Sequence, residues 1–344
     1  MMLPDTTLLQ SLGLFAVSAA IVWFAGTRLA YLADALADRF NLAKSLVGLL
    51  LLALATSLPE VATTLSAAVS QAKALVLNNL FGGIAFQTAI LALSDLWARG
   101  AITNYPRKAN HALEATLLVF LLAIALLVIE VGEPIAVAGI GMGSVLIALI
   151  YGGAIWLLRR YDGENDWIPV DLPDEVPETF PVSALLAGES RAMLWQAGAA
   201  CLAILVFGVL LVTFAERIAS QSGLGTSFIG VTLLAAATSL PELTTSITAV
   251  RIGAYTMAIS NIFGSNLIML VLIFPADMLF RSGPILQNTS QTVRLALLFG
   301  IAVTAIYLTG LIVRRKPTVG PFGLDSIIVL AVVIGSGFAY YAAR

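Results

Sequence analysis

The sequence predicts an all-α polytopic membrane protein of ten transmembrane helices, arranged as two inverted five-helix repeats. The first observation behind this fold class is composition, because 59% of the 344 residues are hydrophobic, 11% are charged and the mean hydropathy is +0.97. Soluble domains carry about 25% charged residues, so this chain lies outside their range. Stretches apolar enough to cross a bilayer, about 20 residues each, fall at residues 8–30, 46–69, 74–97, 111–131, 135–158, 193–215, 227–250, 255–280, 292–313 and 324–342.

The second observation is an internal duplication with an offset of 182 residues. This shift superimposes Asn79 on Asn261 and Phe81 on Phe263, and it aligns the second predicted span with the seventh. Each copy therefore contains five spans. Because five is odd, the second copy must enter the membrane in the opposite sense to the first, which is the inverted-repeat arrangement of secondary transporters.

The duplication divides the chain into three parts. They are a first membrane repeat at residues 1–158, an acidic linker at residues 159–192 and a second membrane repeat at residues 193–344. The linker is rich in Asp, Glu and Pro, but its carboxylates lack the spacing and the central glycine of an EF-hand loop. We therefore expect a solvated connection between the repeats and no calcium site of that kind.

The distribution of basic residues predicts the orientation. Thirteen of the 18 Lys and Arg residues fall on one set of alternate loops, and the other five fall on the opposite set. Positively charged loops stay in the cytoplasm, so the linker is expected inside and both termini outside. We expect a protein integral to the plasma (inner) membrane, with the lipid bilayer as one partner.

Both motif spans contain the same six residues, Ala-Thr-Ser-Leu-Pro-Glu, at residues 55–60 and 237–242. A glutamate and a proline are costly inside an apolar span, so their recurrence indicates a function. Proline cannot donate to the carbonyl four residues earlier, and Pro59 and Pro241 should therefore free the carbonyls of Ala55 and Ala237.

Hydroxyls share the helix face of each motif glutamate. Thr56 and Ser57 lie four and three residues before Glu60, and these spacings bring side chains together on a helix. The second copy places its equivalents in the same register, and these are Thr238, Ser239 and Glu242. Carboxylate, hydroxyl and carbonyl oxygens without sulfur or imidazole suit Ca²⁺, Na⁺ or a similar hard cation.

The spans that follow each motif carry matching polar stripes. The third span has Asn79 and Gln87, and the eighth span has Asn261, Ser265 and Asn266. A polar contact between closely packed helices would explain either stripe alone. Their recurrence behind both Pro-Glu motifs favours cation ligands or the groups that support them. Asp95 and Asp277 also correspond, but each lies near a predicted span end, where an interfacial carboxylate is ordinary, and they receive no functional role.

Several classes of protein are excluded by what the sequence lacks. A formal charge of −2 gives no reason to expect a nucleic-acid partner. The single cysteine, Cys201, excludes an internal disulfide and a cysteine metal site. The single histidine, His111, excludes a multi-histidine site and is predicted to lie at the membrane interface.

The paired Thr-Ser-Leu-Pro-Glu motifs, each followed by an Asn-x-x-Gly helix, resemble the sodium/calcium exchanger family of the cation/Ca²⁺ antiporter superfamily. The resemblance covers both repeats. It implies that Glu60 and Glu242 bind Ca²⁺ and Na⁺ in competition, with the motif hydroxyls around them. It further implies sodium ligands in the carbonyls of Ala53 and Ala235, and first and sixth spans that slide across the other eight.

The chain departs from the family pattern at several positions. Ala55 and Ala237 stand where the family has glycine, and Gly83 stands where it has a serine. Gln87 and Met269 occupy positions where the family carries Asn or Asp. Two side-chain oxygens are therefore lost, and we expect fewer coupled monovalent ions than the family pattern allows, or H⁺ in place of some Na⁺.

The leading hypothesis is a secondary antiporter that exchanges Ca²⁺ for Na⁺ by alternating access. A cation exchanger driven by H⁺ or K⁺, or a membrane protein that binds ions without transporting them, remains as an alternative. An intramembrane hydrolase could use paired carboxylates, but the sequence shows no nucleophile or metal-activating cluster. We therefore expect no enzyme activity and no cofactor, with inorganic cations as the ligands; the sequence does not predict an oligomeric state.

Overall fold

The computed structural model describes residues 6–98, 100–106, 109–137, 139–161, 190–221, 236–313 and 317–342. Helices dominate this part of the chain. Their bounds are α1 Leu8–Arg39, α2 Lys44–Thr56, α3 Leu58–Val69, α4 Lys73–Ser94, α5 Asn110–Val131, α6 Met142–Tyr161, α7 Ser190–Gln221, α8 Leu240–Arg251, α9 Tyr255–Val271, α10 Ile273–Leu279, α11 Gln291–Ile312 and α12 Leu324–Ala342.

Two short antiparallel hairpins interrupt the otherwise helical architecture. Strands β1 (Ala136–Val137) and β2 (Ile140–Gly141) pair before α6, and strands β3 (Thr318–Val319) and β4 (Phe322–Gly323) pair before α12. The hairpins lie 182 residues apart, at the same offset as the motifs. The described residues are mostly helical, as predicted, and these two hairpins form short turns before α6 and α12.

Seven described helices are long and apolar enough to cross a membrane, and the bent pair α2–α3 brings the total to eight. The last helix, α12, is also apolar, but its stretch Leu324–Tyr340 is shorter than those of the seven. The predicted seventh span, residues 227–250, begins outside the described residues, and the structure shows its second part as α8. The predicted acidic linker lies almost wholly outside the described residues as well.

The second span breaks at its motif. Helix α2 contains a π-helical segment at Val47–Leu52, and its axis meets that of α3 at 50°. The break lies at Ser57, which caps α3, and Pro59 follows in the first turn of that helix, where a missing N–H costs no helical hydrogen bond. The second copy is built alike, because Ser239 caps α8 and Pro241 lies in its first turn.

Helix α9 is the centre of the bundle. Every residue from Met257 to Leu270 is buried, including the polar residues Ser260, Asn261, Ser265 and Asn266. Close packing depends on glycine, since a Cβ at Gly264 would come within 2.4 Å of the Leu49 carbonyl oxygen. Four polar side chains on the most enclosed helix need polar partners or ligands.

Asp277 and Asp95 fasten one half of the chain to the other. Asp277 accepts hydrogen bonds from the Gly141 amide at 2.8 Å and the Ser144 hydroxyl at 2.6 Å, both in the first half. Asp95 accepts one from the Gly323 amide of the second half at 3.0 Å. Both aspartates are fully buried, and each lies beneath the hairpin of the opposite half. Their depth in the membrane stays a prediction.

Helices α1 and α7 form a pair along one side of the bundle. Side-chain hydrogen bonds join them at both ends, from Arg28 to Gln196 at 2.6 Å and from Ser11 to Gln221 at 3.2 Å. Both helices are longer than predicted, at 32 residues each. A capping box at Thr7 and Gln10 extends the start of α1 beyond its apolar core.

The pair touches the motif helices through two glycines that correspond at the repeat offset. A Cβ on Gly26 would lie 2.3 Å from Thr244 Oγ1, and a Cβ on Gly208 would lie 2.4 Å from Pro59 Cγ. Helix α1 therefore packs against α8 and helix α7 against α3, so each contacts the motif helix of the opposite half.

Candidate functional site

The two motif glutamates lie in the first turns of α3 and α8. Glu60 is 3% exposed and Glu242 is fully buried, so neither carboxylate is solvated by bulk water. A helix N-terminus favours a negative charge, which explains why the break in the span and the glutamate occur together. The two carboxylates are close enough to interact electrostatically, and the structure thus brings residues 182 positions apart into one place.

Residues from both halves meet at Glu242. The hydroxyl oxygens of Ser57 and Ser265 are 2.6 Å apart, and Ser265 donates to Glu242 Oε1 at 3.1 Å. The hydroxyls of Thr56 and Ser57 also face the Glu242 carboxylate. The predicted ligands Thr56, Ser57, Ser265 and Glu242 are therefore assembled from α2, α8 and α9.

The strongest feature of the site is a set of buried oxygen atoms that receive no hydrogen bond from the described residues. Buried polar atoms in proteins are nearly always paired, and a group left unpaired costs about 1–3 kcal/mol. The set comprises both carboxylate oxygens of Glu60, Oε2 of Glu242, Oε1 of Gln87, Oδ1 of Asn261 and Oδ1 of Asn266. Other buried atoms elsewhere in the described residues are also unpaired, but three of these oxygens belong to the two motif carboxylates, and carboxylate oxygens are ligands that a hard cation prefers.

The two equivalent asparagines are held by their own motif helices. Asn79 donates its amide to Thr64 at 2.9 Å, and Asn261 donates to Thr245 at 3.1 Å. A second contact of Asn261, at 3.5 Å, reaches Ser246. With the amide nitrogens engaged in this way, the carbonyl oxygens are the atoms left for a cation, and the asparagines act as supports as well as candidate ligands.

Sequence reasoning missed the hydroxyl partners of these asparagines. A signal was available, because Thr64 and Ser246 correspond at the repeat offset just as Asn79 and Asn261 do. Fifteen residues separate the partners in each copy. Hydroxyls are common enough in membrane helices, however, that the recurrence stands out only once the asparagines are known to face them.

Four predicted site residues remain, and the structure describes three of them. Thr238 and Ser239 are buried at the end of the break before α8. The Ala53 carbonyl accepts the Ser57 amide at 3.0 Å and the Thr56 hydroxyl at 3.2 Å, so it lies beside the motif hydroxyls. Ala235 lies outside the described residues.

Met269 and Gln87 occupy equivalent positions with different chemistry. Gln87 is 1% exposed and carries an unpaired carbonyl oxygen, whereas Met269 is equally buried but presents a thioether. A thioether is a weak acceptor and a poor ligand for hard cations. Met269 therefore offers no strong oxygen ligand at this position, and the reduced ligand set of the second half stays a prediction.

His111 lies in the first turn of α5, and its placement at the membrane interface stays a prediction. It is 2% exposed, and its Nδ1 lies 3.0 Å from Glu114 Oε2 and 3.1 Å from Ser260 Oγ. The start of a span can still be buried when other helices cover it, and α9 covers this one. Sequence hydropathy gives depth in the membrane but not the direction in which a side chain points.

Comparison with known proteins identifies the family of the chain. A family model described as sodium/calcium exchanger protein matches residues 10–159 and 193–340. The inner membrane protein YrbG of Escherichia coli K12 is 26% identical over 286 residues, which cover 81% of this chain and 82% of the relative. A shorter match, 41% identical over 64 residues, covers 19% of this chain and 10% of the human sodium/potassium/calcium exchanger 2.

Solved structures extend the likeness to the fold. The sodium/calcium exchanger from Methanococcus jannaschii superimposes with a TM-score of 0.71 and 18% sequence identity, covering 96% of this chain and 99% of that chain. The same exchanger soaked without Na⁺ and Ca²⁺ gives a TM-score of 0.70, with 98% and 100% coverage. Together these matches extend over both halves of the sequence and both motif spans.

Proposed function

Because the chain belongs to the sodium/calcium exchanger family and is an integral membrane transporter, not an enzyme, we propose that it exchanges Ca²⁺ for Na⁺ by alternating access at one site shared by Glu60 and Glu242. The observation that carries this proposal is the pair of buried motif carboxylates, which have three unpaired oxygen atoms between them and lie beside the contact of Ser57 with Ser265. Cations are the class of substrate that these acceptors bind.

The two carboxylates explain why ions would exchange. Two like charges about 4 Å apart repel by about 4 kcal/mol at an effective dielectric constant of about 20, so a buried pair of anions is unstable without positive charge. One Ca²⁺ or several monovalent ions can supply that charge, but not both together. Release of one ion therefore favours entry of the other before the protein changes conformation.

The proposed ligands come from three sources. The glutamates supply charge, the hydroxyls of the two motifs and Ser265 complete the shell, and the amides of Gln87, Asn261 and Asn266 add neutral oxygens. Asn79 serves mainly to support its own motif helix, and the carbonyls of Ala53 and Ala235 are proposed for Na⁺. Ca²⁺ takes about six to eight oxygens, a number within reach of this set.

We propose the inverted repeats of residues 1–158 and 193–344 as the basis of the site. The crossed contacts support this arrangement, since each motif helix packs against the long helix of the other half. The residues between, 159–192, would form the cytoplasmic connection. Inverted repeats place equivalent broken helices together near the membrane midplane, as required for one site with two entrances.

Topology gives the first prediction. With both termini outside and the linker inside, a cysteine introduced by Ser183→Cys should react only with membrane-permeable reagents, whereas one at the C-terminus should react with impermeable ones. Cys201→Ala removes the native thiol beforehand and serves as the unlabelled control. External labelling of the linker and protection of the C-terminus would reverse the orientation.

The coupled ions give the second prediction. Since Gly83 and Met269 each lack an oxygen that Na⁺ needs for its shell of about five or six, we expect fewer Na⁺ per cycle than the family pattern allows, or partial replacement by H⁺. The measurement is ⁴⁵Ca²⁺ uptake into proteoliposomes with outward gradients of Na⁺, K⁺ or H⁺ imposed in turn. Gly83→Ser and Met269→Asp should steepen the Na⁺ dependence.

Each outcome of this flux experiment separates one hypothesis from another. A Hill coefficient of about three for Na⁺ in the unmodified protein, without uptake driven by H⁺, would contradict the reduced coupling. Uptake driven by K⁺ would favour the alternative exchanger. Ca²⁺ binding without uptake under any gradient would identify a membrane ion-binding protein, and liposomes with Glu60→Gln provide the background.

A further inference from the structure

Three polar side chains form a ring of hydrogen bonds that includes Ser260, the residue before the proposed ligand Asn261. The Ser260 hydroxyl donates to Glu114 Oε1 at 2.7 Å, while His111 Nδ1 lies 3.0 Å from Glu114 Oε2 and 3.1 Å from Ser260 Oγ. None of the three is more than 2% exposed. The ring joins α5 to α9 in the interior of the bundle, and the exchange chemistry proposed above uses none of its members.

The donors and acceptors of this ring are mutually consistent. A hydroxyl has a single proton, and that of Ser260 is directed to Glu114. The contact between Ser260 and His111 therefore needs Nδ1–H as donor, and the same N–H faces the second oxygen of Glu114. Each member engages both of the others, so that removing one leaves the remaining two with incomplete partners in a dry environment.

The ring is adjacent in sequence to a site residue. Ser260 precedes Asn261, and successive residues on an α-helix point about 100° apart. Ser260 bonds α9 to α5, whereas Asn261 bonds α9 to α8 through Thr245. Two bonds in different directions from neighbouring residues fix the rotation of α9 about its own axis, and with it the direction of Ser265 and Asn266.

Glu114 borders a small cavity, and none of the other described residues that line this cavity is charged. A small cavity of about 10 Å³ beside Glu114 is lined by Ser45, Leu46 and Leu49 of α2, by Asn110 of α5 and by Leu158 of α6. Lys44, the charged residue nearest in sequence to this wall, bonds Asp34 at 2.8 Å and Asp38 at 3.4 Å. The contacts described for the Glu114 carboxylate are those with His111 and Ser260.

We infer that His111 and Glu114 are positioning residues, which hold Ser260 and thereby set the rotation of α9 that aims Ser265 and Asn266 at the cation. This inference rests on the proposed function. It assigns a task to the only histidine of the chain and to a buried glutamate that neither motif contains. Neither residue is proposed to touch the ion.

The experiment measures Ca²⁺ affinity by calorimetry on the full-length purified protein. Ser260→Ala and His111→Leu should each weaken binding about tenfold. Both side chains belong to one hydrogen-bond network, so the loss of either one disturbs the contacts of the other. His111→Asn should restore most of the affinity, because its amide can donate from near the position of Nδ1. The double variant Ser260→Ala/His111→Leu should bind no more weakly than either single variant.

Ser94→Ala is the matched control. Ser94 is fully buried, but its hydroxyl bonds the Ile90 carbonyl of its own helix at 2.8 Å, so its loss should leave Ca²⁺ affinity unchanged. Equal affinities for His111→Asn and His111→Leu, additive effects in the double variant, or unchanged affinity in a folded Ser260→Ala protein would overturn the inference.

Hydrogen exchange provides a readout that does not depend on ion binding. Amides of residues 261–266 should exchange faster in Ser260→Ala and His111→Leu than in the unmodified protein, and His111→Asn should restore the slow exchange. Failure of the unmodified protein to bind Ca²⁺ would refute the proposed function. The exchange rates would still show whether the ring holds α9, and unchanged rates would refute that role.

Discussion

Replacing Glu242 with glutamine is expected to abolish Ca²⁺ binding, and Glu60→Gln is expected to do the same. Glutamine keeps the size of the side chain but removes the charge and one acceptor oxygen. Because both carboxylates are proposed to share one ion, either loss leaves a divalent cation beside a single buried anion. Calorimetry should show a decrease in affinity of about 100-fold or more, which is about 2.7 kcal/mol.

Folding should survive both substitutions. The two carboxylates repel each other in the buried site, so neutralising one removes an unfavourable interaction. Thermal unfolding measured without Ca²⁺ should therefore occur at the same temperature as in the unmodified protein or higher. Glu133→Gln is the matched control, since Glu133 is also buried but bonds the Gly143 amide at the β1–β2 hairpin. If either Glu60→Gln or Glu242→Gln bound Ca²⁺ as tightly as the unmodified protein does, the two glutamates would not share one site.

Gly208→Ala is expected to slow exchange strongly while leaving the ligands intact. The added Cβ would lie 2.4 Å from Pro59 Cγ and 2.9 Å from Pro59 Cβ, closer than atoms can approach, so α7 must move away from α3. Overpacking of this kind costs about 1–3 kcal/mol, and we expect exchange to fall at least about tenfold. Gly26→Ala should act similarly, through Thr244.

The chain offers matched controls on the same two helices. Cβ atoms at Gly198 of α7 and Gly13 of α1 would meet no described atom within 4 Å, so alanine at either position should leave exchange unchanged. Thr244→Ala should partly restore Gly26→Ala, because it removes the oxygen that the new methyl group meets. Ca²⁺ uptake in proteoliposomes is the measurement. Normal uptake by Gly208→Ala would show that the glycine contact does not govern transport.

Where a pattern recurs, the sequence indicates which residues lie together. The two Pro-Glu motifs and the asparagines behind them repeat at one offset, and only placement in a common interior explains charged residues kept twice in apolar spans. The structure accordingly brings Ser57 and Ser265 into contact and places Glu60 near Glu242. Hydropathy also located most of the helices, although not the ends of α1 and α7.

The sequence could not predict the directions in which side chains point or the contacts between residues far apart in the chain. The burial of His111 follows from the packing of α9 over α5, and no periodicity around residue 111 encodes that contact. Asp95 and Asp277 looked interfacial because hydropathy placed them near span ends, whereas their hydrogen bonds to hairpins of the other half bury them. The π-helical segment of α2 has no composition that marks it, although Gly48 within it packs closely against the Met257 backbone of α9.

The aspartate fastenings restrict which parts of the molecule are free to move. Asp277 holds Gly141 and Ser144, Asp95 holds Gly323, and Thr103 donates to Asp325 at 2.9 Å. A rocking motion of one half of the chain against the other would have to break all these bonds at once, in a dry interior. Helices α1 and α7 are bonded to each other and meet the motif helices of the opposite halves across glycine. We therefore expect any motion that opens the proposed site to keep both hairpin fastenings intact, and so to move parts of both halves together.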